Sequence, residues 1–111
     1  MLDTFTALAD SNRLRIVAIL RDGAQPVGLI AKRLGLHQPL VSKHLNLLKK
    51  ARLVAVEARA QQRLYSLDPA GLQAIDTWLE AYRSLWSARF DQMDAVIADM
   101  LHNENLTPKK E

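Results

Sequence analysis

Gln38, Ser42, Lys43, Asn46 and Lys50 are spaced so that, on one helix, they would share a face. Carboxamides and a hydroxyl can read the edges of base pairs, and ammonium groups can neutralise phosphates. Gln38, Ser42 and Asn46 are the candidate base readers, with Lys43 on a base or a phosphate. Pro39 sits where a first helical turn would start, and its fixed φ would bring its neighbours close to a groove floor. The chemistry available is therefore recognition of double-stranded DNA. The plainer alternative is that such a face is the solvated side of an ordinary helical hairpin.

The flanking residues say how that face would be held. In VGLIAKRLGLHQPLVSKHLNLL, Val27 to Leu48, apolar residues fall at Leu29, Ile30, Leu34 and Leu36, then at Val41, Leu45 and Leu48, with a break around Gly35. That is the pattern of two short helices and a turn, a helix-turn-helix whose second helix is the reader. Two β-compatible runs follow, carrying Val54 and Val56, then Leu64, Tyr65 and Leu67, and the residues between them lack the Asn-Gly or Asp-Gly of a tight hairpin. Arg59, Gln61, Gln62 and Arg63 lie at or near the tip. A basic hairpin after a reading helix is a wing, able to reach phosphates or the minor groove. Arg59 and Arg63, with Lys49, Lys50 and Arg13, are the expected backbone contacts. The alternative is a hairpin tip that is merely solvated.

Charge is distributed to match. Residues 1–67 hold 11 Lys/Arg against 4 Asp/Glu, and residues 68–111 hold 4 against 8, within an overall net charge of +3. The basic part attracts a polyanion, and the acidic part should face away from it.

The chain of 111 residues suits one modest core, and 49% of them are hydrophobic, as in a globular protein. No apolar run approaches the length of a membrane span, and MLDTFTALADSNRLRIV lacks the basic-then-apolar order of a secretory signal, so the expected location is the cytoplasm. The absence of cysteine excludes disulfides, thiolate metal sites and thiol switches. Gly23, Gly28, Gly35 and Gly71 form no phosphate-cradling loop, so enzymatic chemistry and a cofactor are not expected.

The remaining chain reads as helix. Leu2 to Leu8 gives a short first helix; Asp10-Ser11 caps a second, Asn12 to Arg21, with Leu14, Val17, Ala18 and Leu20 apolar, ended by Asp22-Gly23; Gln25-Pro26 reads as a loop. Asp68-Pro69 starts a third, with Asp as cap and Pro at the first position. From there Leu72, Ile75, Leu79, Tyr82, Trp86, Phe90, Met93, Ile97 and Met100 recur at steps of 3 and 4. That is close to a heptad seam, over roughly 45 Å of helix. Trp78, Leu85, Val96 and Leu101 widen it. A small domain cannot cover such a stripe alone, so a second copy is expected there, joined by Leu2, Phe5 and Leu8; the alternative is a helix that folds back as two. The expected class is mainly α with a small β-hairpin, a winged helix-turn-helix with a long C-terminal dimerisation helix. It would be one domain over residues 1–102, with the helix at about 69–102 and a flexible tail at 103–111.

These pieces together resemble the ArsR-type winged-helix transcriptional repressors. The resemblance covers about residues 2–101 and is carried by Leu8 to Ile16 (LADSNRLRI), by Gln38 to Leu45 with Leu47-Leu48 and Leu53-Val54, and by Arg63 to Asp68. It implies a homodimer that binds an operator near its own promoter and blocks transcription. The sequence departs from the metal-sensing members, which carry a Cys-x-Cys-type motif before the turn; Leu29 to Leu34 here has neither thiol nor imidazole. A second metal class uses Asp and His on the last helix, where Asp76, Asp91, Asp94 and Asp99 stand with the single His102. His37 and His44 have no ligand partner at useful spacing. The chain thus looks closer to the metal-free, autorepressor-like branch, with no small-molecule effector legible. The alternatives are a winged-helix protein-interaction module without sequence-specific DNA binding, and a metal-responsive repressor with a non-cysteine site.

Overall fold

The structure, a computed structural model, describes residues 2–87 and 96–101. The chain divides into two compact units, Met1–Asp76 and Thr77–Glu111. The first contains helices α1 (Leu2–Leu8), α2 (Ser11–Leu20), α3 (Val27–Leu34) and α4 (Gln38–Lys50), strands β1 (Gln25–Pro26), β2 (Val54–Arg59) and β3 (Gln62–Leu67), and the start of α5 (Pro69–Glu80).

Asp10 sets the phase of α2. Its Oδ1 accepts from the backbone N–H of Asn12 at 2.9 Å and of Arg13 at 3.0 Å, satisfying two donors that the helix leaves free. These bonds, Arg13's first, hold the Asp10 carboxyl below the usual carboxylate range despite some desolvation. A group with a depressed folded pKa stabilises fully above its unfolded value, and that contribution is lost as pH falls through the folded one. Asp10→Ala is therefore expected to lower Tm at neutral pH, with the gap to wild type shrinking as pH falls below the ordinary aspartate value of about 3.9. A gap of constant size in a pH series of melts would show that the carboxylate charge plays no part.

With that phase, Ile16 and Leu20 point inward at 0% and 2% exposure, while Leu14, expected among the apolar positions, is 52% exposed. Around Ile16 and Leu20 pack Ile30, Ala31 and Leu34 of α3, Val41, Leu45 and Leu48 of α4, and Leu53, Val54 and Tyr65. Fully burying each large aliphatic side chain contributes about 1.5–3 kcal/mol.

The sheet corrects one expectation. Gln25-Pro26 is not a loop but a short edge strand, giving three antiparallel strands in the order β1-β3-β2. Gln25 pairs with Tyr65 and Pro26 with Leu64, so the short strand covers an edge of β3 that would otherwise be open, and a proline is tolerated at an edge because it need not donate. β2 and β3 pair from Val54↔Leu67 to Arg59↔Gln62, leaving a two-residue loop, Ala60-Gln61. Ala60 takes φ 54° there. The turn is as tight as an Asn-Gly hairpin without that sequence signal.

Two left-handed residues close the helices that matter most. Gly35 ends α3 at φ 70°, with Leu36 N–H donating to Ala31 O at 3.1 Å. After α4, Arg52 takes φ 59°; its N–H donates to Lys49 O at 3.0 Å, and Leu53 N–H reaches Leu48 O at 2.9 Å. This pair of bonds turns the chain sharply and delivers Leu53 to the core.

The last helix is not continuous. α5 ends at Glu80, Ala81 and Tyr82 form a turn, and helix resumes at 83–87; residues 96–101 are also helical. Tyr82 N–H bonds Leu79 O at 2.9 Å and Leu85 N–H bonds Tyr82 O at 3.0 Å, both i to i+3. No proline or glycine stands there. Most side chains from Thr77 to Ser87 are exposed, so little burial supports the helix, and Thr77, Trp78, Tyr82 and Ser84 are modest helix formers. The part of the seam at Phe90 and Met93, and the tail at 103–111, lie outside the described residues.

Candidate nucleic-acid interface

α4 separates its residues by chemistry. Val41, Leu45 and Leu48 are fully buried; Gln38, Pro39, Lys43, Asn46 and Lys50 are exposed, and Ser42 is partly exposed. The split follows from the 3.6-residue period once Val41 is fixed in the core. Pro39 occupies the first turn, where its missing N–H costs nothing. Gln38 projects at the start of the helix, and its Oε1 lies beside Gly28 of α3, 3.8 Å from where a Cβ would stand.

The wing meets this end of α4. A groove of about 520 Å³ is lined by Pro26, Val27, Gly28 and Leu29, by Gln38, and by Gln61, Gln62 and Arg63 of the hairpin tip. The structure thus joins the candidate reader at the start of α4 to the candidate wing residues Gln62 and Arg63, which lie 24 or more positions away in sequence. Arg59 is exposed and sits 3.7 Å from Glu57 on the same strand. An exposed pair of this kind is worth little and leaves the guanidinium free to exchange its partner for a phosphate. At the other end, Lys50 does not join this groove. It lines a second one of about 320 Å³ with Asp3, Thr6, Ala7, Arg13, Leu47 and Ala51.

Arg13 requires a correction. It was expected on the phosphate backbone, but its side chain is only 14% exposed and turned into the protein. Nε donates to Ala7 O at 2.6 Å, one terminal nitrogen lies 3.4 Å from Thr6 O, and the other lies 3.3 Å from His44 Nδ1 and 4.0 Å from Asp10. To reach a phosphate the guanidinium would have to give up these contacts. His44, in turn, is a residue that sequence reasoning assigned no role. It is 8% exposed, on the core side of α4. The available signal was its position, three after Val41 and four before Leu48, within the apolar stripe.

Among the described seam residues, Leu2, Leu72, Tyr82, Trp86 and Ile97 are exposed, and Phe5, Leu8, Ile75 and Leu79 are half-buried. The ring centroids of Trp78 and Tyr82 lie 4.9 Å apart in a tilted contact, with 48° between the planes. Among the described residues no three of His, Cys, Asp and Glu gather as a metal site needs, and no helix is long and apolar enough to cross a membrane. Asp91, Asp94 and His102 lie outside the described residues.

Comparison with known proteins points the same way as the geometry. Residues 10–56, from the α2 cap into β2, match the family described as "Bacterial regulatory protein, arsR family". The chain is 45% identical over 76 residues to the HTH-type transcriptional regulator Rv2034 of Mycobacterium tuberculosis, covering 68% of this chain and 71% of that one. It is 33% identical over 79 residues to the transcriptional repressor SdpR of Bacillus subtilis, covering 71% and 88%. Among solved structures, one described as a possible transcriptional regulator for arsenical resistance superposes with a TM-score of 0.67 at 29% identity, over 89% of this chain and 97% of that one.

Proposed function

The chain belongs to the arsR family of bacterial regulatory proteins, and is a DNA-binding transcription regulator rather than an enzyme; on that premise we propose that it is a cytoplasmic homodimeric repressor of an inverted-repeat operator, its own promoter among the targets. The observation that carries the reading role is the single groove lined by Gln38, Gln62 and Arg63. A reading helix and a wing that share one groove can follow one DNA strand from base edges to backbone. Two copies around a two-fold axis would set their α4 helices in successive major grooves, roughly 34–36 Å apart, which is why the operator is expected to be an inverted repeat. A dimer seated on a promoter blocks polymerase access, giving repression.

Selection of duplexes from a random-sequence pool by the full chain tests this. The expected outcome is an inverted repeat, and transcription in vitro from a template carrying it should fall as the protein is added. Recovery of no common sequence would reject the proposal, and transcription that rises would reverse its sign.

The two kinds of interaction are separable by mutation. Gln38→Ala or Ser42→Ala is expected to weaken binding to the selected duplex by about 1–3 kcal/mol and to leave a scrambled duplex nearly unaffected. Arg63→Ala should weaken both alike and reduce the salt slope by about one unit for each phosphate the side chain no longer neutralises. Equal weakening on both duplexes for Gln38→Ala would remove it from base reading. A changed sequence preference at constant salt slope for Arg63→Ala would make the wing a base reader.

A further inference from the structure

We propose that Arg13 and His44 are positioning residues that lock the reading helix α4 to the C-terminal end of α1, and so tie the α1 surface to DNA recognition. Arginine has only donors, so the 3.3 Å contact makes His44 Nδ1 the acceptor and, in the neutral ring, leaves the proton on Nε2. The same guanidinium donates from Nε to Ala7 O at 2.6 Å and reaches Thr6 O at 3.4 Å. Those carbonyls belong to the last turn of α1; Thr6 O also takes the Ala9 N–H at 3.1 Å, so the guanidinium adds a second donor there and supplies one to Ala7 O. A planar fork holds its donors in fixed directions, so one side chain sets the end of α1 and a point on α4 relative to each other.

That point matters because of what surrounds it on the helix. His44 follows Lys43 directly and lies two residues from Ser42 and Asn46, so a rotation or slide of α4 over α1 that carried the reading face would have to break this contact. Both partners are largely buried, at 8% for His44 and 14% for the Arg13 side chain, where an unanswered donor is costly and the geometry is correspondingly strict. Asp10, 4.0 Å from Arg13, supplies the countercharge. α1 also carries Leu2, Phe5 and Leu8, the residues assigned above to the second copy; Leu2 is exposed and Phe5 half-buried, while Leu8 packs against the core as well. The pair therefore links the proposed dimer contact to the proposed base contacts. This rests on the DNA-reading function proposed above.

The experiment compares the full-length wild type with His44→Asn, His44→Leu and Arg13→Lys. Each is titrated onto the selected duplex and a scrambled one, and thermal melts run alongside. Asn places an acceptor oxygen where Nδ1 stands, whereas Leu fills the space without one. His44→Leu is expected to lose about tenfold or more of its preference for the selected duplex, and His44→Asn to recover it to within about threefold of wild type. Scrambled-duplex affinity should be unchanged in both, because the phosphate contacts are untouched. Arg13→Lys keeps the cation but not the fork, should behave like His44→Leu, and decides the matter if His44→Leu does not fold. Equal loss in the Asn and Leu variants, or full preference retained by His44→Leu or Arg13→Lys, overturns the inference alone. A wild type without preference overturns the DNA-reading function, and the inference with it.

Discussion

Gly71→Ala is expected to destabilise the protein by about 3 kcal/mol, or roughly 10–20 °C in Tm, although alanine is the better helix former. Gly71 sits in the first turn of α5, where a sequence-based expectation is a small gain from replacing glycine. The structure reverses the sign. A Cβ on Gly71 would stand 2.5 Å from Arg52 O, 2.8 Å from Leu53 Cδ2 and 2.9 Å from Arg52 C. None of these can yield easily. Arg52 O accepts the Gly71 N–H at 2.7 Å, Leu53 O accepts the Asp68 N–H at 2.9 Å, and Arg52 is held at φ 59° by the bonds that close α4. Leu53 itself is fully buried. Denaturation of the variant beside Gly28→Ala separates clash from propensity. At Gly28 the nearest atom would lie 3.8 Å away, so the same change should be neutral or gain up to about 1 kcal/mol. A Gly71→Ala protein that melts at or above wild type would show that α5 does not start against the α4 exit as described.

Trp86→Glu is expected to leave the winged-helix unit folded, to yield monomers, and to weaken binding to the full inverted repeat by about 100-fold or more. Trp86 is 36% exposed and Tyr82, four residues before it, is 44% exposed. Aromatic side chains bury about 150–250 Å² each, so on a seam of this kind they contribute most per residue, and a carboxylate in their place would be buried unpaired. The weakening arises because each half of the operator would then be bound separately rather than by linked readers. The variant carries every candidate base and phosphate contact unchanged. Sedimentation at micromolar concentration, run with the binding titration, checks both parts. A wild-type monomer that still binds the full inverted repeat tightly would contradict the assembly.

Much of this was legible in the sequence because it rests on local rules. The period at Val41, Leu45 and Leu48 sorts α4 into a buried and a polar face, and the structure keeps that sorting. Asp10, Gly35 and Asp68-Pro69 mark helix ends through capping chemistry that acts within a few residues, and the helices start and stop there. What escaped depends on contacts distant in sequence. Gln25-Pro26 became a strand because an edge of β3 was available, which no dipeptide rule contains. Arg13 carries the same charge on a phosphate or inside a fold, and the chain's path from α1 into α2, with His44 31 residues on, decides which. The need for glycine at 71 comes from Arg52 and Leu53, which no local rule places beside it. The helix break at Ala81-Tyr82 carries no breaker residue, so the seam's spacing alone extended the helix through it.

The most direct measurement is the affinity of the full-length wild type for the selected duplex and for a scrambled one of equal length, across a salt series. Phosphate contacts from the basic first part of the chain should make both affinities fall steeply, with a slope of about −0.9 per phosphate engaged. Base contacts from α4 should hold the selected duplex about 10³-fold or more above the scrambled one throughout the series. Parallel, steep lines separated by that gap are the predicted result. Two coincident lines would contradict sequence reading by α4, and flat lines would contradict DNA binding by this surface altogether.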